Sequence, residues 1–248
     1  MNGFQRHGIA HLSPSSLNVW MAQPALWVME RLLKKRGDVG CAAHRGTASE
    51  AGVVKGLLDP KMDIAECQAH ALLEYDRLTA LSGDTRRAKE REAIPGIVAT
   101  AIEELRQYGP LTQTQGRVEH CFDGLSVPIM GFFDFMFADC SILVDLKTTL
   151  RLPSEPSNQH CRQCALYVHN TNAAARLAYT TPQKIGVYEV LEPARHLADL
   201  VNIAQRLERF LSISNDPMEL AGFLTPDTDS FWFKDPTARA YAREVFGL

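Results

Sequence analysis

The sequence predicts an α/β protein of the α+β type, in which helices flank a mixed central β-sheet. Apolar residues recur at helical spacing through residues 1–110, and short strand-like runs around a helical segment follow over residues 111–192. Residues 193–248 are again mostly helical in pattern. We expect one domain spanning residues 1–248, with an N-terminal helical part, a sheet core and a C-terminal helical part that meet at these boundaries.

Proline, serine and glycine divide the first part into helices. A serine can cap a helix and a proline is tolerated in its first turn, so Ser13-Pro14 predicts a helix start, and Gly37 predicts an end. Proline within a helical pattern indicates a break. The expected helices lie at 13–33 with a break at Pro24, at 42–57, at 62–81, and in a charged stretch that ends near 107 and is interrupted at Pro95-Gly96.

The pattern then changes to short runs typical of strands. Asp123-Gly124 is a hairpin turn signal, and residues 139–141 form a second short turn. These turns predict an antiparallel meander of three strands, followed by a helix, a fourth strand and a long helix. The expected strands lie at 113–122, 125–138, 142–147 and 184–191, and the expected helices at 158–170 and 193–212, with a short helix from Thr237.

The composition is that of an ordinary globular protein and bears on its class. A net charge of −3 is not the signature of a protein that coats nucleic acid non-specifically, although a local basic groove is compatible with it. No run approaches the roughly 18 apolar residues that span a membrane, and residues 1–11 lack the apolar core of a secretion signal. We therefore expect no membrane partner, a cytoplasmic location and reduced cysteines. The spacing of Cys161 and Cys164 fits packing in a helix better than a metal or redox site.

Charged side chains mark the ends of two expected strands. Asp145 and Lys147 are two residues apart on one strand, so both point to the same face. Pairing across the 139–141 turn would bring Asp134 close to Asp145. Carboxylates are hard ligands for Mg²⁺, and a nearby lysine can steer water or stabilise charge during phosphodiester hydrolysis. The alternative is an exposed ion pair, but the apolar run before Asp145 indicates a buried strand and favours a site.

Two helical motifs add to this cluster. Gln163 and Tyr167 are four residues apart and share a helix face, where they could contact a phosphate or an unstacked base. Packing is the alternative role for this pair. Glu50 follows a run of small residues that would let its helix approach the sheet, and it could supply a further metal ligand. The alternative for a lone glutamate on a helix is a solvated side chain.

In order along the chain, these motifs resemble the PD-(D/E)xK nuclease superfamily, in its RecB-like exonuclease branch. The resemblance covers roughly residues 12–191. It rests on a Ser-Pro-Ser-Ser helix start, R-G-T-A-x-E, G-x-x-D, D-x-K and Q-x-x-x-Y. It implies a restriction-endonuclease-like core.

The resemblance also implies a role for each matching residue. Asp134 and Asp145 correspond to metal ligands, with Leu146 between the paired motif residues as a further metal-contacting position, and Lys147 corresponds to the catalytic lysine. Glu50 stands where the family commonly has a histidine ligand, and with these three charged residues it completes the implied catalytic set. His44, six residues earlier, is a weaker alternative ligand.

The helical motif of the family lies beside the scissile phosphate. Gln163 and Tyr167 match it and are therefore expected to bind substrate.

The resemblance implies a Mg²⁺-dependent deoxyribonuclease, in which Mn²⁺ would substitute. We expect no iron–sulfur cluster, because no cysteine follows Cys164, and no helicase motor, because the phosphate-binding motif of such motors is missing. The expected partner is DNA, with a recombination or single-strand-annealing protein as a further candidate, in the recombination, repair or replication of a bacterial or phage-infected cell. The expected activity is that of an exonuclease on DNA ends. The alternatives are an endonuclease and a non-catalytic DNA-binding module, and the oligomeric state is left open.

Overall fold

A computed structural model describes residues 2–247 of the chain. Helices and one mixed sheet account for its regular structure, which confirms the predicted fold class. The helices are α1 (Gly3–Arg6), α2 (Pro14–Ala22), α3 (Pro24–Arg31), α4 (Cys41–Leu58), α5 (Ile64–Leu78), α6 (Arg87–Leu105), α7 (Asn158–Thr171), α8 (Pro193–Leu211), α9 (Pro217–Gly222) and α10 (Pro236–Phe246). The strands are β1 (Gln113–His120), β2 (Ile129–Phe137), β3 (Ile142–Thr148), β4 (Ala174–Thr180) and β5 (Ile185–Glu189).

The five strands lie in chain order, β1-β2-β3-β4-β5. β2 and β3 are antiparallel, β3 and β4 are parallel, and β4 and β5 are antiparallel. A parallel pair needs a crossover connection, and α7 lies in the segment that joins β3 to β4. This arrangement makes β3 an internal strand, paired on both sides.

Strand β4 is a departure from the prediction, which placed no strand between the helix of α7 and β5. Its sequence, Ala-Ala-Arg-Leu-Ala-Tyr-Thr, is rich in alanine and has one β-branched residue, so local preference gives a weak strand signal. The strand is specified by its partners instead. It pairs with β3 over seven residues and with β5 over five.

Helix α6 also differs from the prediction, because it continues through Pro95-Gly96 without a break. The proline carbonyl accepts a hydrogen bond from Gln68 Nε2 on α5, at 2.9 Å. Gly96 lets the helix approach Pro182, whose backbone a Cβ at this position would overlap. Contacts to neighbouring elements therefore hold a helix that the isolated sequence would interrupt.

The described residues cluster into two compact units, each with its own core. The second unit comprises Val39–Arg117 and Phe132–Pro193, and contains α4 to α7 together with β3, β4 and β5. Its core lies between helices α4, α5 and α6 and one face of the sheet. Its largest members include Tyr75, Ile94, Ile102, Phe135 and Phe137.

The first unit comprises residues 2–38, 118–131 and 194–247. Trp27 is buried there and donates its indole N–H to Ser16 Oγ at 2.8 Å. A separate cluster forms around Phe233, which lies in a 3₁₀ turn where the sequence indicated only a loop. The short helices α1 and α9 were also not predicted. The expectation of a single domain stays a prediction.

Among residues 2–247, no helix is long and apolar enough to cross a membrane.

Candidate active site

The end of the β2–β3 ladder places two carboxylates side by side. Backbone pairing runs from Phe137↔Ile142 to Phe135↔Val144. At the next position along β2, the Asp134 side chain bonds to β3. Its Oδ2 accepts a hydrogen bond from the backbone N–H of Leu146 at 2.7 Å. The predicted approach of Asp134 to the Asp145 strand is therefore present in the structure.

Asp145 and Lys147 form an ion pair on one face of β3. Lys147 Nζ lies 2.5 Å from Asp145 Oδ2, and the Asp145 side chain is fully buried while the Lys147 side chain is 22% exposed. Apart from this contact with Lys147, neither carboxylate oxygen of Asp145 has a hydrogen-bond partner among residues 2–247. Because the Asp145 carboxylate is buried, this pair is unlike the exposed ion pair that the sequence left as an alternative.

A chain of hydrogen bonds fixes the position of Lys147. The ammonium donates to Gln163 Oε1 at 3.3 Å, Gln163 Nε2 donates to the hydroxyl of Tyr167 at 2.7 Å, and that hydroxyl donates to the carbonyl of Phe132 at 2.7 Å. Because a carbonyl can only accept, each donor in the chain has a fixed direction. The chain leaves the amide oxygen of Gln163 facing the lysine, and it ties α7 to β2.

Tyr167 does not offer the stacking surface considered from the sequence. Its side chain is 1% exposed, and its ring packs edge-on against Phe133, with centroids 6.2 Å apart. The residue orients Gln163 in this structure, and Gln163 is the half-buried member of the pair that faces Lys147. Substrate binding by Gln163 stays a prediction.

Glu50 of α4 joins the carboxylates through Gln115 of β1. The side-chain amide nitrogen of Gln115 donates to Glu50 Oε1 and lies 3.4 Å from Asp134 Oδ1. Glu50, six residues beyond His44, therefore lies near Asp134, as predicted for the third acidic residue. Leu146 packs its side chain into the core, so its backbone is the part that faces Asp134.

The charges of this cluster are not balanced. Burial is the main cause that raises the pKa of Asp134 well above its ordinary value, and repulsion from Asp145 and Glu50 adds to it. Burial also raises the pKa of Glu50, against the hydrogen bond from Gln115. Burial alone would lower the pKa of Lys147, but the attraction of Asp145 and Asp134 raises it above its ordinary range. Three carboxylates thus share one ammonium, and a cation would relieve their repulsion.

The donor set is suited to a divalent cation, although the ligands are not prearranged. Within residues 2–247, no group of three or more His, Cys, Asp and Glu side chains is gathered at metal-binding geometry. Each carboxylate is instead held by a protein donor: Asp134 by Leu146, Glu50 by Gln115 and Asp145 by Lys147. Carboxylate oxygens are the ligand type for Mg²⁺ and Mn²⁺, and the buried carboxylate of Asp145, whose one close donor in the described part of the chain is Lys147, fits such an ion.

A buried ion pair supports the rim of the site. Arg45 of α4 pairs with Glu90 of α6, and both are 5% exposed. The same guanidinium donates to the backbone carbonyl of Thr148 at 3.1 Å, one residue after Lys147. The arginine of the R-G-T-A-x-E motif therefore joins α4 and α6 to the end of β3. Sequence reasoning assigned no role to Arg45 or Glu90. The two partners of Arg45, Glu90 and Thr148, lie 45 and 103 residues further along the chain, so no local pattern connects them.

A cavity of about 630 Å³ opens beside Lys147, and its wall includes Arg151, His160 and Tyr179. His160 Nδ1 lies 2.7 Å from the hydroxyl of Tyr179. Burial, and then repulsion from Lys147, lower the pKa of His160 to about 4, so the imidazole is neutral at pH 7. The cavity gives a ligand a route to the lysine past the neutral imidazole of His160 and the exposed Arg151.

Comparisons with known proteins add little to this geometry. No protein-family profile matches the sequence, and no curated protein matches it either. Among solved structures, the crystal structure of SSO0001 matches with 18% identity over 66% of this chain and 86% of that chain, at a TM-score of 0.36. A TM-score this low supports no conclusion about family or function.

Proposed function

We propose that this protein is a Mg²⁺-dependent deoxyribonuclease of the PD-(D/E)xK superfamily, and that it acts as an exonuclease on DNA ends. The observation that carries the proposal is the meeting of three carboxylates and one ammonium from separate elements. Glu50 comes from α4, Asp134 from β2, and Asp145 and Lys147 from β3. The ordered sequence motifs supply the family, and DNA is proposed as the partner on that basis.

In this proposal Glu50, Asp134 and Asp145 would hold the cation. When bound, the cation supplies charge that neutralises the phosphate and favours attack by water. The attraction of Asp145 and Asp134 raises the pKa of Lys147, and the positive charge of the ammonium would stabilise negative charge on the reacting phosphate. Gln163 keeps the ammonium in place, and the adjoining cavity gives the phosphate backbone room to approach.

The test is cleavage of linear and closed circular DNA with Mg²⁺ by the full-length protein. We expect linear DNA to be degraded and closed circles to survive. Asp145→Asn and Lys147→Met should each reduce the rate by at least about 100-fold, because each removes a charge that acts on the reacting phosphate. Asp139→Asn, in the exposed turn after β2, and Lys61→Met, on the surface, are the matched controls and should retain the rate.

Circular dichroism of each variant separates loss of activity from loss of fold. Full activity in folded Asp145→Asn or Lys147→Met would overturn the site. Cleavage of closed circles would replace the exonuclease with an endonuclease, and wild-type protein without cleavage of either DNA would end the proposal.

A further inference from the structure

Gln115 adopts a backbone conformation that its residue type rarely accepts. Its φ is +48°, in the left-handed region, although it lies within β1. The following residue, Gly116, has no room for a side chain, because a Cβ there would overlap the ring of Phe133. Strained positions of this kind concentrate at functional sites. The distortion sends the Gln115 side chain toward the carboxylates.

The amide of Gln115 stands between two acidic side chains. Its nitrogen donates to Glu50 Oε1 and lies 3.4 Å from Asp134 Oδ1. The nitrogen is the donor in both contacts, and a carboxylate oxygen accepts in each. The ammonium of Lys147 is meanwhile paired with Asp145. Gln115 therefore supplies one donor that lies between Glu50 and Asp134.

The same side chain is able to change its role. Gln115 is exposed, so its amide can turn without displacing the core. A half-turn exchanges nitrogen for oxygen with almost no change of shape, and amide oxygens are suitable ligands for Mg²⁺ and Mn²⁺.

Building on the metal site of the proposed function, we propose that Gln115 is a two-state positioning residue. In the metal-free protein its amide nitrogen holds Glu50 and Asp134 at the site. When a divalent cation binds, the amide turns and its oxygen faces the cation.

Two substitutions separate these roles. Gln115→Ala removes both the donor and the oxygen, so the metal-free protein should melt at a lower temperature and Mn²⁺ should bind about 10-fold more weakly. Gln115→Glu removes the donor but adds a charged oxygen. Its metal-free form should also melt at a lower temperature, whereas its affinity for Mn²⁺ should rise on the order of 10-fold, because affinity follows ligand charge. A residue that only supports the fold is not expected to give a variant with a lower melting temperature and a higher affinity for Mn²⁺.

The experiment is calorimetric titration of chelator-treated full-length protein with MnCl₂, together with melting curves in EDTA. Gln113→Ala is the control, since Gln113 is an exposed glutamine two residues earlier on β1, and it should leave both readouts unchanged. A change in melting temperature with unchanged Mn²⁺ affinity would overturn the proposal. So would weaker Mn²⁺ binding by Gln115→Glu, or wild-type protein that binds no Mn²⁺.

The outcome is distinguishable from that of the proposed function. Wild-type protein that binds Mn²⁺ with the expected Gln115 dependence, but cleaves no DNA, would end the nuclease proposal and leave this one standing. If the protein cleaves DNA but its affinity for Mn²⁺ does not change with the substitutions of Gln115, the nuclease proposal stands and this one ends.

Discussion

Ionised Asp134 destabilises the folded protein, because the fold raises the pKa of this carboxyl. The folded state raises the pKa of Asp134 through burial and through repulsion from Asp145 and Glu50. A carboxyl with a raised pKa is penalised in the folded state when it is ionised. The penalty is complete above the folded-state pKa and disappears below the pKa of the unfolded chain. Ionised Asp134 therefore lowers the free energy of unfolding at neutral and alkaline pH.

Asp134→Asn should accordingly stabilise the metal-free protein at high pH. The amide oxygen keeps the hydrogen bond from the Leu146 N–H while the charge is lost. In EDTA at pH 8 we expect a gain on the order of 1 kcal/mol, or about 2–4 °C in Tm. The gain should shrink toward pH 4, where the wild-type carboxyl is protonated.

Melting curves across this pH range provide the measurement, with Asp139→Asn as an exposed control. A Tm that falls by the same amount at pH 4 and pH 8 would show that Asp134 contributes through packing and not through charge.

At the residue scale, the sequence predicted side chains whose placement follows from local geometry. Asp145 and Lys147 share a face because they are two residues apart on a strand, and Asp134 lies across a short turn. Gln115 could not be predicted in this way. Its role depends on a left-handed φ and on two partners that are 65 and 19 residues away.

At the scale of elements, tertiary contacts override local preference in α6. Thr100 on this helix shares a hydrogen bond with Thr180 of β4 at 2.7 Å, and Gly96 lies against the backbone of Pro182. The glycine thus permits an approach between helix and loop. The Pro95-Gly96 sequence predicts a break, but α6 is continuous there and packs against β4 and Pro182.

Gly96→Ala should therefore destabilise the protein, although alanine is the better helix former by about 1 kcal/mol. A Cβ at this position would lie 2.8 Å from Pro182 Cα and overlap its carbonyl. We expect a net loss of about 1–3 kcal/mol in the free energy of unfolding.

Urea titration measures this loss. Gly222→Ala, at the end of α9, is the matched control, because a Cβ there meets nothing within 4 Å. The control should be neutral or slightly stabilising. Equal behaviour of the two variants would mean that helix preference, and not the contact with Pro182, decides the result.

Strand β4 shows that apolar periodicity does not predict every strand of the sheet. Apolar alternation and turn signals predicted β1, β2, β3 and β5, whose sequences carry their own preference. The alanine-rich β4 carries little, and its position is set by the seven-residue register with β3. Without β4, the sequence could predict a mixed sheet but not the parallel pairing that encloses the strand of Asp145.

At the scale of the whole molecule, the candidate site belongs to one of the two compact units. Every residue of the site lies within Val39–Arg117 or Phe132–Pro193, yet these residues come from α4, β1, β2, β3 and α7. Elements that are distant in sequence must therefore be folded together before the carboxylates meet. A ligand that needs all three carboxylates binds the folded unit alone, and its binding free energy adds to the stability of that unit.

Saturating Mn²⁺ should for this reason slow hydrogen exchange in the core of this unit, including the buried amides of β3. At 100 times the dissociation constant, the gain is about 2.7 kcal/mol, which corresponds to about 100-fold slower exchange for amides that exchange through unfolding. Mass spectrometry of peptides covering Ile142–Thr148 measures the effect. Asp145→Asn removes a carboxylate without changing the size of the side chain, so its exchange should be insensitive to Mn²⁺. Equal slowing in both proteins would place the cation elsewhere, because a site that includes Asp145 as a ligand should bind Mn²⁺ more weakly once this carboxylate is removed.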